Sequence, residues 1–298
     1  MAQAQQAPAA LDPKTARIGF IGIGNMGDPM ASNLVKAGWD VQVYDTDPAK
    51  VAKFSAAASL EALGRRCNVI ITMLPDGHIV RKVLLEGGDC LAKGLARGAT
   101  IIDMSSSAPV GTRELGKDLA ARGIGLVDAP VSGGVKGAVN ATLAIMVGGD
   151  EKLAKALDPL LAPMGKRFYA GSLGAGHAIK VLNNYVSAAG LAAAGEAVLI
   201  ARRFGVDPQT VISIINASTG RNNSTENKFA QFILNQKFNS GFALGLMAKD
   251  ISLAMEVAKA CDVKAELGHA CLALWKDAEA ELGGKADHTE VVRHFGEV

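Results

Sequence analysis

Arg17-Ile-Gly-Phe-Ile21-Gly22-Ile-Gly24-Asn25-Met26-Gly27, followed by Met30 to Ala37 and then Val41-Gln-Val-Tyr-Asp45, decides the fold. Residues 17–21 are an apolar run of strand length, Met30 to Ala37 has the length of a helix, and Val41 to Asp45 alternates like a second strand. Strand, GxGxxG, helix, strand, acid is the full context in which a glycine-rich turn binds a dinucleotide. Gly22 permits the tight turn, Gly24 lets the backbone approach a pyrophosphate, and Gly27 lets the helix lie close on the strand. Asn25 and Met26 complete the loop, and the helix N-terminus behind it offers N–H groups and partial positive charge to phosphates. Asp45 can accept both hydroxyls of an adenosine ribose and would repel a 2′-phosphate. No arginine follows it before Arg65. NAD is therefore favoured over NADP.

Working outward, helix- and strand-length segments keep alternating. Lys50 to Leu63 reads as a helix, Asn68 to Met73 as a strand ending in Leu74-Pro75, and His78 to Leu85 as a helix. Thr100 to Asp103 is a strand running into Ser105-Ser106-Ser107, Val110 to Arg122 a helix, and Gly125 to Asp128 a strand running into Ser132-Gly133-Gly134. Leu143 to Val147, a helix over Glu151 to Met164 and a short strand Arg167 to Ala170 complete the series. Strands alternating with helices predict an α/β, Rossmann-like, doubly wound parallel sheet. Ligands of such sheets sit off the carboxyl ends of the strands, so Leu74-Pro75, Ser105-Ser106 and Ser132-Gly133-Gly134 should ring one crevice. From Gly174 onwards the patterning is only helical: a long central helix, then Asp207 to Ala217, Phe229 to Asn235, Leu244 to Cys261 and Glu266 to Glu281. The expected organisation is a disordered arm over 1–16, a dinucleotide-binding domain over 17–173 and an all-α substrate and oligomerisation domain over 174–298.

Composition narrows the function. With 49% apolar residues, 20% charged residues and a formal net charge of +2, the chain has material for cores and no polyanion-binding signature, so no nucleic acid is expected. No uninterrupted apolar run reaches about 18 residues, so no membrane span is expected. Cys67, Cys90, Cys261 and Cys271 have no metal-ligand spacing and read as buried thiols of a reducing compartment. Met1 to Ala10 lacks the charged and apolar regions of a signal peptide, which makes the cytoplasm the default. His78, His269, His288 and His294 are scattered without metal-ligand spacing.

The central helix opens with Gly174-Ala-Gly176-His177-Ala-Ile-Lys180-Val-Leu-Asn183-Asn184. Lys180 and Asn184 stand at i and i+4, one above the other on one face. The turns that follow are almost all Ala, Leu, Gly and Val, so Lys180 should enter the protein. Together with Gly19 to Gly27, Asp128-Ala-Pro-Val-Ser132-Gly133-Gly134 and Lys249-Asp250, this stretch resembles the β-hydroxyacid dehydrogenases, the family of 3-hydroxyisobutyrate dehydrogenase and tartronate semialdehyde reductase. Asp103-Met-Ser-Ser106-Ser-Ala-Pro109 matches a further signature, with serine at Ser106 where threonine is usual. The resemblance runs from about Arg17 to the C-terminus.

That resemblance implies an oxidoreductase acting on a small hydroxy acid with NAD, Lys180 relaying the hydroxyl proton and Asn184 holding the substrate. Ser132, Gly133 and Gly134 would cradle the substrate carboxylate. Ser106 and Lys249 would join Gly22, Gly24, Asn25, Met26, Gly27, Asp45, Leu74 and Pro75 on the cofactor. It further implies homodimers or homotetramers built on the helical domain. His177 could serve as a second acid/base but reads rather as a helix-start histidine bonded to backbone, and Asp287 to Glu290 reads as the cap of a final helix. The polar stretch Arg221 to Lys228 is either a solvated loop or a lid that recognises a more polar acid than 3-hydroxyisobutyrate. Decarboxylating sugar-phosphate dehydrogenases are disfavoured by Asn183 and Asn184, imine-reducing relatives by Lys180. A catalytically silent dinucleotide-binding scaffold is disfavoured by the same lysine.

Overall fold

The computed structural model describes residues 10–296, and the chain divides into two compact units with the break between Lys180 and Val181. Elements of the first unit run in the order β1 (Arg17–Ile21), α1 (Gly27–Lys36), β2 (Asp40–Tyr44), α2 (Pro48–Val51), β3 (Ser55–Ala56), α3 (Leu60–Arg66), β4 (Val69–Thr72), α4 (Gly77–Leu85), β5 (Thr100–Asp103) and α5 (Pro109–Ala120). They continue with β6 (Gly125–Asp128), β7 (Val131–Ser132), α6 (Gly134–Val139), β8 (Leu143–Gly148), α7 (Glu151–Ala156), α8 (Asp158–Leu161) and β9 (Gly165–Gly171). Among the described residues these strands form one sheet of nine, ordered β3-β2-β1-β4-β5-β6-β8-β7, with β9 paired to β8.

From β3 to β6 every pairing is parallel, as the alternating elements require. β8 then joins β6 and β7 antiparallel, so the sheet is not parallel throughout. Successive strand residues pack on opposite faces. Ile18, Phe20, Val69, Ile71 and Ile102 belong to one core, and Ile21, Ile70 and Ile101 to another. Chain order runs from β1 out to β2 and β3 on one side and from β4 to β5 and β6 on the other, so the switch between β1 and β4 opens a ligand crevice at the carboxyl ends of those strands.

Several expected boundaries shift. The helix expected over Lys50 to Leu63 is two helices separated by β3, because Asp47 caps the first and Ser59 caps the second, accepting from Ala62 N. The helix expected over Glu151 to Met164 breaks at Leu157, where α8 begins with a proline in its first turn. Residues 1–9 of the expected arm lie outside the described residues. The rest of it is docked: Leu11 N donates to Ala156 O at 3.0 Å and Ala16 is buried.

α9 (Ala175–Arg203) leads from the first unit into the second, which continues with α10 (Pro208–Asn216), α11 (Asn223–Asn227), a π-helical turn at Phe229–Ile233, α12 (Leu244–Ala260), α13 (Glu266–Leu282) and α14 (Val291–Phe295). Trp275, Phe229, Leu191, Val198, Ile251 and Val292 centre its core. α9 corrects one expectation: an 18-residue window of it has a mean hydropathy of 1.3, so it is long and apolar enough to cross a membrane by length and composition, although glycines and asparagines interrupt its apolar runs. Of that window, 44% is buried inside the protein. Cys261 also departs from the buried-thiol reading, since it lies exposed at the end of α12 while the other three are buried. Burial pushes the Cys67 and Cys271 thiols up to about 11.

Candidate active site

The glycine loop sits between β1 and α1 under tight steric limits. Gly22 has φ +96°, and a Cβ there would stand 2.3 Å from Met73 O; at Gly27 it would stand 1.8 Å from Gly22 O. Gly24 has nothing within 4 Å of a notional Cβ, so its backbone faces open space. That space is a cavity of about 800 Å³, lined by Gly22, Gly24, Asn25, Met26, Gly27, Asp45, Leu74 and Pro75 among others. Eight of the ten residues assigned to the cofactor are thus brought together.

Asp45 does more there than face a ribose. Its Oδ2 accepts from Ile23 N at 2.7 Å and its Oδ1 from Asp47 N at 2.9 Å, so the carboxylate pins the glycine loop to the end of β2. Lys50 Nζ lies 4.0 Å from Asp45 Oδ1. Sequence reading missed Lys50, Lys82 and the Glu86-Gly-Gly-Asp89 rim, all of which line the cavity. The rim is held by Asp89, whose two oxygens accept from Leu60 N and Glu61 N at the start of α3. The Gly87-Gly88 pair was the available signal.

Ser106 and Lys249 do not line this cavity. Ser106 is half-buried in the loop after β5, between Ser105 and Ser107, whose buried groups are tied to Asp103. Ser132 is half-buried at the end of β7, and Gly133 and Gly134 follow it with φ of +130° and +60°. Such positive φ values at successive glycines are cheap only for glycine. They turn the chain from β7 into α6 with its main chain exposed.

Lys180 is buried as expected, at 8% exposure, one turn into α9. In the second unit, Asn184 is 7% exposed and donates through Nδ2 to Asp250 Oδ2 at 2.7 Å, while its Oδ1 accepts from Asn183 at 3.2 Å. Lys249 Nζ stands 3.6 Å from the other Asp250 oxygen. Asp250, nearly fully buried, therefore orients both residues assigned to the site in this unit; its place beside Lys249 was the only signal.

The polar stretch Arg221 to Lys228 is built around a capped short helix, α11, with Arg221, Asn223, Glu226 and Asn227 exposed. Asn222 caps α11, accepting from Ser224 N at 2.8 Å and Thr225 N at 3.2 Å, and Thr225 Oγ1 accepts from Asn222 N in return. Ser224 and Thr225 are buried. Lys228 donates to Ser187 Oγ on α9 at 3.2 Å, and burial, offset in part by Asp287, lowers its pKa to about 8.

With this geometry in place, comparison with known proteins decides the family. The model for the NAD binding domain of 6-phosphogluconate dehydrogenase matches residues 17–195, and the model for the NAD-binding domain of NADP-dependent 3-hydroxyisobutyrate dehydrogenase matches residues 174–295. The chain belongs to the β-hydroxyacid dehydrogenase family. Relatives within it include 2-(hydroxymethyl)glutarate dehydrogenase of Eubacterium barkeri, 37% identical over 94% of this chain and 95% of that protein. The 2-hydroxy-3-oxopropionate reductase of Escherichia coli is 34% identical over 93% of this chain and 96% of that protein. Among solved structures, Mycobacterium tuberculosis 3-hydroxyisobutyrate dehydrogenase with L-serine is 33% identical, covers 94% of this chain and 99% of that one, and superposes with a TM-score of 0.85. As a member of the family the chain is an oxidoreductase of hydroxy acids with an NAD-binding domain, and the open main chain at Gly24 fits that cofactor's pyrophosphate.

Proposed function

We propose that this chain oxidises a small β-hydroxy acid at its carbinol carbon with NAD, or reduces the corresponding semialdehyde or keto acid, with Lys180 as the proton relay. The observation that carries the assignment is a lysine held 8% exposed in the second turn of α9, one turn before an asparagine whose amide is locked by a buried aspartate. NAD bound along the glycine loop would supply the acceptor for the hydride lost from the carbinol carbon. Lys180 Nζ takes the hydroxyl proton as the C–O bond becomes a carbonyl, and returns it to the forming alkoxide in the reverse direction.

Ser132 Oγ and the main-chain N–H groups around Gly133 and Gly134 bind the carboxylate, and the second Nδ2 hydrogen of Asn184 orients the substrate. Gly22, Gly24, Asn25, Met26, Gly27, Asp45, Leu74, Pro75, Ser106 and Lys249 hold the cofactor, and the Asp45 carboxylate selects NAD over NADP. We assign the substrate to the 3-hydroxyisobutyrate class, with glycerate, threonate, serine and 2-(hydroxymethyl)glutarate as the polar alternatives. The enzyme is read as cytoplasmic and as a homodimer or homotetramer, the assembly being supported by apolar side chains such as Ile200 and Phe204 that stand 69% and 88% exposed on the helical unit.

The test is a rate assay at the reduced-nicotinamide absorbance band with NAD and NADP against these acids. Highest kcat/KM on 3-hydroxyisobutyrate with NAD supports the assignment. Preference for a diacid or polyol acid renames the substrate, and no turnover with any of them removes the proposal.

A further inference from the structure

The reaction just described leaves a fully buried histidine unused. His177, 0% exposed, lies one turn before Lys180 in α9. Its Nε2 stands 3.0 Å from the main-chain oxygen of Ser105 and its Nδ1 2.8 Å from Thr112 Oγ1. A carbonyl only accepts, so Nε2 donates to it, and Nδ1 pairs with the Thr112 hydroxyl, which itself donates to Ala108 O at 3.1 Å. Two carboxylates flank the ring: Asp103 Oδ2 is 3.7 Å from Nε2 and Asp128 Oδ2 is 3.8 Å from Nδ1.

Both carboxylates are engaged with the surrounding loops. Asp103 accepts from Thr72 Oγ1, Ser105 N and Ser107 Oγ. Asp128 accepts from Gly174 N and His177 N, each at 2.8 Å, and so caps the first turn of α9. The packing leaves no slack, because a Cβ at Gly176 would stand 2.1 Å from Met146 O and one at Gly148 would stand 2.5 Å from Asp128 Oδ1. Ser105 Oγ in turn accepts from Leu74 N at 2.9 Å. The ring thus joins the Leu74-Pro75 loop, the Ser105 to Ser107 loop and the end of β6 to the helix turn that bears Lys180.

We propose that His177 is a positioning residue, the peg that sets Lys180 against the strand-end loops of the first unit. The inference takes the role of Lys180 from the function proposed above, while the peg itself is a property of the chain alone. A buried network in which every member is satisfied holds one geometry. Displacing a catalytic group by about 1 Å costs about 10²-fold in rate.

The test compares His177→Ala, His177→Gln and Thr112→Val in the full chain. Glutamine offers an N–H towards Ser105 O and a C=O towards Thr112; Thr112→Val removes the Nδ1 partner together with that hydroxyl's own bond to Ala108 O at the start of α5. The first readout, hydrogen exchange without cofactor or substrate, follows the amides of residues 174–180. His177→Ala and Thr112→Val should exchange there about tenfold faster or more, and His177→Gln should match wild type. The second readout is kinetic. His177→Ala should lose about 10²-fold in kcat with KM for NAD within about twofold, the primary deuterium isotope effect on kcat should rise, and His177→Gln should recover most of the turnover.

If His177→Ala does not fold, the contrast between His177→Gln and Thr112→Val decides alone. Unchanged exchange over 174–180 in Thr112→Val, or a glutamine variant as defective as the alanine one, overturns the proposal. Wild-type inactivity on every acid would fail the proposed function instead, and the exchange readout would still decide the peg.

Discussion

Replacing Asp45 by asparagine asks a carboxamide to serve two N–H donors with one acceptor. Oδ2 accepts from Ile23 N at 2.7 Å and Oδ1 from Asp47 N at 2.9 Å, so in Asp45→Asn one of these N–H groups must face an NH2. Losing one charge-assisted hydrogen bond costs about 1.5–3 kcal/mol, or about 10- to 150-fold in NAD affinity through the loosened glycine loop. NADP suffers the same loss but escapes a repulsion. A unit charge about 4 Å from another is worth about 1 kcal/mol in water-like surroundings and about 4 kcal/mol at an effective dielectric of 20. The Asp45 side chain is 11% exposed, with Lys50 4.0 Å away and left without its counter-charge in the variant. The NADP:NAD ratio of kcat/KM should therefore rise by about fivefold to about 10³-fold, and by less at high salt. Initial rates with both cofactors at saturating substrate measure it. An unchanged ratio together with an unchanged KM for NAD would refute both the ribose assignment and the loop-pinning role.

Three further outcomes follow from the geometry. Gly176→Ala places a Cβ 2.1 Å from Met146 O, a main-chain atom of β8, and should destabilise the first unit by about 1–3 kcal/mol; a thermal melt unchanged from wild type contradicts it. His288, lowered to about 4 first by burial and then by the Lys228 ammonium, is neutral in the folded chain at pH values where the unfolded chain binds the proton. Its folded pKa lies below its unfolded one, so stability is retained above about pH 6.5 and lost as pH falls towards 4, by up to about 1.4 kcal/mol per pH unit. Urea titrations of wild type and His288→Gln at pH 4.5 and 6.5 should show the smaller loss in the variant. Asn222→Ala removes the cap of α11 and should cost about 1 kcal/mol by denaturant titration while leaving KM for NAD unchanged; a large rise in KM for the acid would restore the lid reading.

The first half of the fold was legible because its physics is local. A strand, a glycine turn, a helix and a second strand ending in an acid each leave a pattern within a few residues, and β1, α1 and β2 fall where that pattern puts them. Gly22 and the residues from Gly24 to Gly27, with Asp45, Leu74 and Pro75, line one cavity for the same reason. What escaped depends on partners distant in sequence. β7 has two residues and exists through pairing with β8, whose antiparallel turn on β6 no periodicity records. Asp250 matters because Asn184 reaches it 66 positions away, and His177 because Thr112 and Ser105 close on it from 65 and 72 positions away. The stretch from Arg221 to Lys228 looked solvated by composition, yet Asn222 and Thr225 spend their polar groups on each other's backbone. Capping chemistry and a solvated loop use the same residue types.

The account turns on Lys180, and one measurement reaches it most directly. Wild type and Lys180→Ala would be given 3-hydroxyisobutyrate, or whichever acid the panel selects, deuterated at the carbinol carbon. Mass analysis of the reduced cofactor then reads deuterium transfer, while the dissociation constant for NAD is measured on the same samples. Wild type should deliver the label to the cofactor, and the variant should lose about 10²- to 10⁴-fold in that rate with NAD affinity held. A variant that transfers deuterium at the wild-type rate would contradict the assignment of the proton relay to Lys180.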